Sequence, residues 1–136
     1  MDPATQDALT KAEEIELVTT GRVSGRPHSV RLRFAYADGV LWLRTGERAP
    51  PPDATGVRRR SSVDRETDWL RNLEHDPRCR VRIGRAELEA RYEPSNDPAA
   101  DLRRTVELLR AKYGAEWVAD WYLEMGRIPV RLRLAT

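Results

Sequence analysis

Alternating apolar and polar side chains mark the first third of the chain. The run His28–Ala37 places an apolar residue at every second position, and these residues share one face of an extended chain: Val30, Leu32, Phe34 and Tyr36. Alternation over this length predicts a half-buried β-strand. The shorter run Ile15–Thr20 predicts a strand before it.

The dipeptide Asp38-Gly39 predicts a two-residue hairpin turn, because both central residues of a type I′ turn adopt positive φ. With this turn Tyr36 pairs with Leu41, so the apolar faces of the two strands agree. The same register places Arg33 opposite Arg44, and like charges in this position repel. We therefore expect a carboxylate from elsewhere in the protein, or an anionic ligand, over that face.

A second hairpin is predicted from Cys79–Ile83 and Ala86–Glu93, with its turn at Gly84-Arg85. Pairing Arg82 with Glu87 puts opposite charges face to face and gathers the apolar residues, Cys79 among them, on the other face. Charge and hydropathy select the same register. Cys79 is therefore expected to be a small buried hydrophobe rather than a nucleophile.

Helical signals flank these strands. Asp2-Pro3 predicts a capped N-terminal helix within residues 1–13, and Thr67 predicts the cap of a short helix over 68–74. The helical segment 97–122 begins at Asp97-Pro98 and comprises helices over 99–112 and 116–122. The aromatic residues of the second helix are expected to anchor it in the core. Between these elements, 46–66 reads as a long polar loop, and loops of that length are usually functional or disordered.

The run Pro129–Leu134 predicts a closing strand. Five or six antiparallel strands with helices packed at one side indicate a mainly β, α+β fold, and a small barrel removes exposed sheet edges. At 136 residues the chain is expected to form one domain, 1–136.

Composition says more about the cellular location of the protein than about its activity. No apolar run approaches the ~20 residues that span a bilayer, no signal peptide is recognised, and the single cysteine is compatible with a reducing compartment, so a cytoplasmic location is expected. The net charge is +2, and all basic residues but Lys11 and Lys112 are arginine. Arginine suits bidentate contact with phosphate and carboxylate, although a coding bias explains its abundance equally well.

The connection Gly21–Pro27 is the richest candidate for binding chemistry. It combines two glycines with Arg22, Arg26 and Ser24, and backbone N–H groups, hydroxyls and guanidiniums together form anion cradles. A solvated hairpin loop with surface arginines is the alternative reading, and the composition alone favours neither. His28 begins the next strand and is a further candidate for anion binding.

The usual catalytic arrangements are missing from the sequence. The two histidines lie in separate segments without a cysteine cluster, so metal-ligand spacing is absent. No nucleophile elbow, P-loop or dinucleotide fingerprint occurs. The catalytic residues are therefore left unassigned, and an enzyme of this sequence is expected to rely on a bound cofactor.

Several short motifs resemble a known group of proteins. They occupy 19–27, 30–39, 68–73, 76–84, 112–122 and 127–134. Together they resemble the flavin and deazaflavin oxidoreductases, a split β-barrel group related to the pyridoxamine-phosphate oxidases that includes the deazaflavin-dependent nitroreductases. The resemblance covers about residues 14–134 and implies a pyridoxamine-phosphate-oxidase-like, FMN-binding type of barrel.

The resemblance also implies a cofactor site. In this reading the loop binds the cofactor phosphate, the strand end at 44–46 lies along the ring, and two residues of the 68–74 helix complete the pocket. The implied residues are Thr20, Arg22, Ser24, Gly25, Arg26, Arg44, Thr45, Gly46, Trp69 and Asn72. The implied cofactor is 8-hydroxy-5-deazaflavin, coenzyme F420, with FMN second.

By the same resemblance, the reaction is hydride transfer between the reduced cofactor and a small acceptor such as a quinone, nitroaromatic or enone. The resemblance also implies a homodimer, and no insertion into a membrane is expected. Val23 stands where the group often has a cation, and His28 replaces a residue that is frequently basic. The competing reading is a non-catalytic barrel that binds an anionic ligand, haem or nucleic acid through an arginine-rich face: Arg31, Arg33, Arg44, Arg131 and Arg133. Interleaved acids and the small net charge count against nucleic acid.

Overall fold

The protein is built around one antiparallel sheet. The computed structural model describes residues 1–45 and 62–135, without the side chains of 62–67 and 122. Its seven strands are β1 Glu14–Thr20, β2 Pro27–Arg33, β3 Ala35–Ala37, β4 Val40–Arg44, β5 Arg78–Ile83, β6 Ala86–Glu93 and β7 Pro129–Leu134. They follow the order β2-β1-β5-β6-β7-β4-β3. The barrel prediction is thereby confirmed as a curled, split barrel, with seven strands in place of five or six.

The sheet is forced to curl because its two edge strands are neighbours in sequence. β2 ends at Arg33 and β3 begins at Ala35, yet they occupy opposite ends of the strand order. Phe34 alone joins them, so the predicted continuous strand 28–37 is in fact two strands. Phe34 is fully buried, and its amide and carbonyl bind the side chains of helix residues instead of a neighbouring strand.

This break overturns the predicted contact between two arginines. Arg33 pairs across the sheet with Glu14, while Arg44 pairs with Pro129. The guanidinium of Arg33 lies 5.3 Å from the ring centre of Tyr113. A carboxylate is found beside Arg44, as shown below, whereas the Arg33 guanidinium lies over aromatic rings, with the Trp117 ring centre at 5.1 Å.

Both predicted hairpins are confirmed. Asp38 and Gly39 have φ of 56° and 75°, as a type I′ turn requires. In the second hairpin Arg82 faces Glu87 and Cys79 faces Ala90, which is the register selected by charge and hydropathy. Local patterns were sufficient here because each hairpin joins strands that are adjacent in sequence.

The helices agree less well with prediction. The helix α1 spans Pro3–Lys11, with the Asp2 carboxylate accepting from the Thr5 amide at 2.8 Å. The helix α2 spans Ser62–His75 and begins six residues before the predicted start, because its first turns carry no apolar periodicity that would reveal it. Residues 62–66 therefore do not belong to the predicted loop, and 46–61 lie outside the described residues.

The C-terminal helices show a second correction. The helix α3 spans Pro98–Tyr113, whereas α4 spans only Trp121–Glu124 in place of the predicted 116–122. Arg110 donates a hydrogen bond of 2.7 Å to the Val118 carbonyl, which holds the preceding segment in a non-helical path. Trp117 is consequently 64% exposed, so its predicted role as a core anchor is wrong.

Two apolar clusters stabilise the barrel. The larger lies between the sheet and helices α1 and α2, and the smaller lies between β3, β4 and α3. Within the described residues no helix is long and apolar enough to cross a membrane.

Candidate functional site

The loop between β1 and β2 is a tight turn with most of its amides already bonded. The Gly21 amide donates to the Arg26 carbonyl at 2.8 Å, and the Gly25 amide donates to the Gly21 carbonyl at 2.9 Å. The Arg26 amide donates to Ser24 Oγ at 3.1 Å. Among the described residues, the amides of Val23 and Ser24 have no acceptor, so they are available to a ligand.

Asn72 of helix α2 fixes this loop in place. Its Oδ1 accepts both the Arg22 amide, at 3.2 Å, and the Arg22 guanidinium, at 2.9 Å. Its Nδ2 donates to Thr19 Oγ1 at 3.2 Å, which ties the contact to β1. Asn72 is buried, so one side chain connects the loop, the helix and the sheet.

Arg22 also forms an ion pair with Asp68, one helical turn before Asn72. The guanidinium lies 3.1 Å from Asp68 Oδ1, and the two side chains are 31% and 56% exposed. Asp68 and Asn72 share one helix face because they are four residues apart. That spacing was visible in the sequence, and Asp68 is the site residue that the sequence reasoning missed.

A cavity of about 530 Å³ opens between this loop and helix α2. Its walls include Arg22, Ser24, His28, Asp68, Trp69 and Asn72. Trp69 is 3% exposed. Its indole N–H is buried and has no acceptor in the described part of the chain, although a buried donor ordinarily has a partner.

An adjoining cavity of about 540 Å³ lies on the other side of the loop. Thr20 and Gly25 line it together with Arg22 and Ser24. Arg26 is exposed on the same loop, and the described residues offer its guanidinium no carboxylate. The structure thus gathers seven of the ten predicted site residues around one loop: Thr20, Arg22, Ser24, Gly25, Arg26, Trp69 and Asn72.

Arg44 and Thr45 belong to a different part of the molecule. Arg44 Nε lies 3.0 Å from Glu124 Oε2, with side-chain exposures of 13% and 3%. Thr45 is buried, donates its amide to the Ile128 carbonyl and accepts the Ile128 amide on Oγ1. No described cavity joins these residues to the loop, and Gly46 lies outside the described residues.

Glu124 was not recognisable from the sequence. It also pairs with Arg127, whose Nε lies 2.7 Å from Glu124 Oε2. This buried carboxylate between two guanidiniums faces a cavity of about 500 Å³ that Trp117 and Leu123 also line. Because Arg44 and Glu124 are separated by 80 positions, no local pattern links them.

The remaining candidates carry no evident chemistry. Cys79 is buried, which confirms the predicted small core residue, and this burial raises the pKa of its thiol to about 12. The described residues contain no group of three metal-ligating side chains. The arginine-rich face is compensated in part: Arg133 is paired with Glu93 and Arg131 lies 3.5 Å from Asp101.

Comparisons with known proteins agree with this fold. The model of the F420H2-dependent quinone reductase family matches residues 3–131 of the chain. Among curated proteins, none matches the sequence significantly.

Solved structures show the same architecture at low sequence identity. A conserved hypothetical protein from Mycobacterium tuberculosis superposes with a TM-score of 0.66 and 21% identity, covering 100% of this chain and 82% of that one. An F420-H2-dependent reductase gives a TM-score of 0.55 and 19% identity, covering 92% and 96%. A pyridoxamine 5′-phosphate oxidase-like protein from Listeria innocua gives 0.59 and 12%, covering 98% and 92%.

Proposed function

The chain belongs to the F420H2-dependent quinone reductase family, and on this premise we propose that it transfers a hydride from reduced F420 to a small organic acceptor such as a quinone, nitroaromatic or enone. It is a deazaflavin-dependent oxidoreductase, and F420 is its cofactor. The bound deazaflavin supplies the hydride chemistry, and the protein supplies binding and orientation. The acceptor class and the residues of the site are the proposed part.

We assign the anionic tail of the cofactor to the loop between β1 and β2. The amides of Val23 and Ser24, which have no acceptor among the described residues, suit oxygen ligands, and Arg26 adds a guanidinium without a carboxylate partner in the same part of the chain. Backbone amides together with a guanidinium form a cradle that suits phosphate and carboxylate oxygens. Arg22 is positioned by Asn72 and Asp68, so its fork is held in place before a ligand arrives.

The observation that carries this assignment is the buried indole N–H of Trp69. A donor left without an acceptor inside a protein costs free energy, which a ligand oxygen or nitrogen recovers on binding. Trp69 lines the same cavity as Arg22 and Ser24. The residues therefore fit a ligand with an anionic group at the loop and a flat polar ring beside the indole.

Arg44, Thr45 and Gly46 stay predictions as ring contacts. Arg44 and Thr45 already have protein partners, so their proposed contribution is to hold the backbone at the end of β4. Tyr113 is not proposed as a proton donor, since its hydroxyl is bonded to the Phe34 backbone.

Homodimer formation and a cytoplasmic location are further parts of the proposal. The outer face of the sheet carries arginines beside carboxylates, among them Arg80, Arg91, Glu89 and Glu93, around a groove of about 740 Å³. A face with both charges matches a second copy of itself across a two-fold axis. Analytical ultracentrifugation of the purified protein tests the homodimer.

The function is tested by fluorescence titration of the purified protein with F420 and, in parallel, with FMN, the second candidate. We expect micromolar or tighter binding of F420 only. The double variant Arg22→Ala/Arg26→Ala should lose that binding with little change in melting temperature, because both side chains are partly or fully exposed. Arg85→Ala, at the turn between β5 and β6, is the matched control.

Unchanged F420 binding in the double variant would show that the anionic tail of the cofactor does not bind at this loop. Absence of binding to the wild-type protein would overturn the cofactor site altogether. Once binding is established, reduction of quinones, nitroaromatics and enones by reduced F420 ranks the acceptor classes.

A further inference from the structure

A serine and a histidine meet at the mouth of the proposed cofactor cavity. Ser24 Oγ lies 3.1 Å from His28 Nε2, and both residues line the cavity with Arg22 and Trp69. The contact sits directly over Gly21. A Cβ at that position would lie 2.6 Å from both the His28 ring and Ser24 Oγ, so glycine is required for this close approach.

The acceptor of the Ser24 hydroxyl proton depends on the protonation state of His28. Its oxygen already accepts the Arg26 amide at 3.1 Å. A hydroxyl has one proton to donate. If His28 is neutral with its proton on Nδ1, that hydroxyl proton is given to Nε2. If His28 is protonated, Nε2 is a donor, and the hydroxyl proton turns outward.

We propose that His28 couples proton uptake to cofactor binding: its protonation turns the Ser24 hydroxyl into a donor for the anionic tail and adds a cation beside it. This inference rests on the proposed function, because it concerns the same cavity. It makes His28 a determinant of cofactor affinity, with Ser24 as the group through which it acts. By linkage, an anion bound at the loop also favours the protonated imidazole.

The charges around His28 make its protonation effective. On the loop, Arg22 is paired with Asp68 of helix α2, whereas Arg26 has no carboxylate partner among the described residues. On β1, the neighbour of His28 across the sheet is uncharged Thr19. Around the adjoining cavity, Asp76 is paired with Arg78, and His75 is the other titratable group. Protonated His28 therefore adds a second uncompensated cation to that of Arg26.

The test is the pH dependence of F420 affinity in the wild-type protein and in His28→Gln. Glutamine keeps an uncharged donor near the position of Nε2. Imidazole is the side chain that ordinarily changes charge between about pH 5 and 8. We expect wild-type affinity to be about tenfold weaker at about pH 8.5 than at about pH 5.5, the size of one charge contact near a protein surface. His28→Gln should show only the titration of the cofactor itself.

Two further measurements make the result specific. Ser24→Ala should weaken binding most at low pH, where the hydroxyl proton is available. The chain has two histidines, so NMR assigns their ring protons with the His28→Gln variant. Cofactor binding at low pH should change the ring signals of His28 more than those of His75.

The outcomes separate the two proposals. Parallel pH profiles for wild type and His28→Gln would overturn the role of His28 and leave the cofactor site standing. Loss of all F420 binding in the wild-type protein would overturn the site, and the role of His28 with it. A profile that flattens in His28→Gln but not in Ser24→Ala would assign the effect to the charge alone and overturn the hydroxyl step.

Discussion

Arg22 and Arg44 both bind a carboxylate, but in environments that give them different roles. Arg22 and Asp68 stand at an open cavity, with side chains 31% and 56% exposed. Arg44 and Glu124 are 13% and 3% exposed, and Arg127 shares the same carboxylate. The first pair is open to solvent, whereas the second pair holds two chain segments together. Burial, and not residue type, decides whether an arginine is available for binding.

The largest expected effect comes from breaking the buried pair. Glu124→Ala leaves two guanidiniums without their carboxylate, and we expect the free energy of unfolding to fall by about 3–5 kcal/mol. Urea unfolding measures this change. Asp68→Ala is the matched control at the exposed pair and should cost at most about 1 kcal/mol. Equal losses in the two variants would remove the distinction.

A third cation, Lys112, tests the same principle without an ion pair among the described residues. Its amine donates to the Phe34 carbonyl at 3.0 Å and lies 3.6 Å from the Phe34 ring centre. Burial lowers its pKa to about 8, although Glu13 acts in the opposite direction. A free lysine titrates near 10.4, so the unfolded chain binds more protons between these values, and stability should rise with pH across that window.

The rise should amount to about 1 kcal/mol, because the amine is only half-buried and water screens it. Lys112→Met should abolish it, as measured by urea unfolding between about pH 8 and 10. Cys79 acts in the opposite sense, since its raised pKa makes stability fall above about pH 9. That contribution is common to both proteins, so the difference between them isolates Lys112. Identical profiles would contradict the assignment.

The indole N–H of Trp69 should matter for the cofactor and not for folding. Trp69→Phe removes a donor that has no acceptor among the described residues, so any loss of stability should come only from the smaller ring in the core. F420 affinity should fall about 5–10-fold if the ligand satisfies that donor. Trp42→Phe is the control, because the Trp42 indole donates to the Ala37 carbonyl. It should lower stability and leave affinity unchanged.

The smallest expected effect is a gain. Asp68→Asn removes a negative charge beside Arg22, and F420 affinity should rise about 2–3-fold, as for one exposed ion pair. Asp7→Asn, at the exposed Asp7–Lys11 pair of helix α1, should leave F420 affinity unchanged. A weaker affinity in Asp68→Asn would mean that this carboxylate orients Arg22 more than it competes for it.

The parts of the fold that were predictable are those set by neighbours in sequence. The β5–β6 register followed from Arg82 and Glu87, which face each other across one turn. The break at Phe34 was not predictable, because it arises from pairing with β1 on one side and β4 on the other. The same alternation of apolar residues is found whether the run forms one strand at one edge of the sheet or two strands at opposite edges.

The candidate site was predicted from the family resemblance and not from neighbours in sequence. Arg22 and Asn72 belong to motifs that identified their place, and the structure brings them within 2.9 Å. The same resemblance assigned Arg44 to the site. Its buried partner Glu124 lies 80 positions away, so no local pattern in the sequence indicates their ion pair. The helix start at Ser62 escaped notice for a related reason, because its polar first turns carry no hydrophobic period.

The single residue between β2 and β3 also limits how far the barrel is able to open. Arg33 and Ala35 are two Cα steps apart, which allows at most about 7.6 Å between the two edge strands at that point. The two edge strands are thus tethered to each other at Phe34. A few residues inserted at Phe34 would let β2 and β3 separate, and each edge strand would then be able to pair with a second molecule. The same insertion at the Gly84-Arg85 turn would only lengthen a loop.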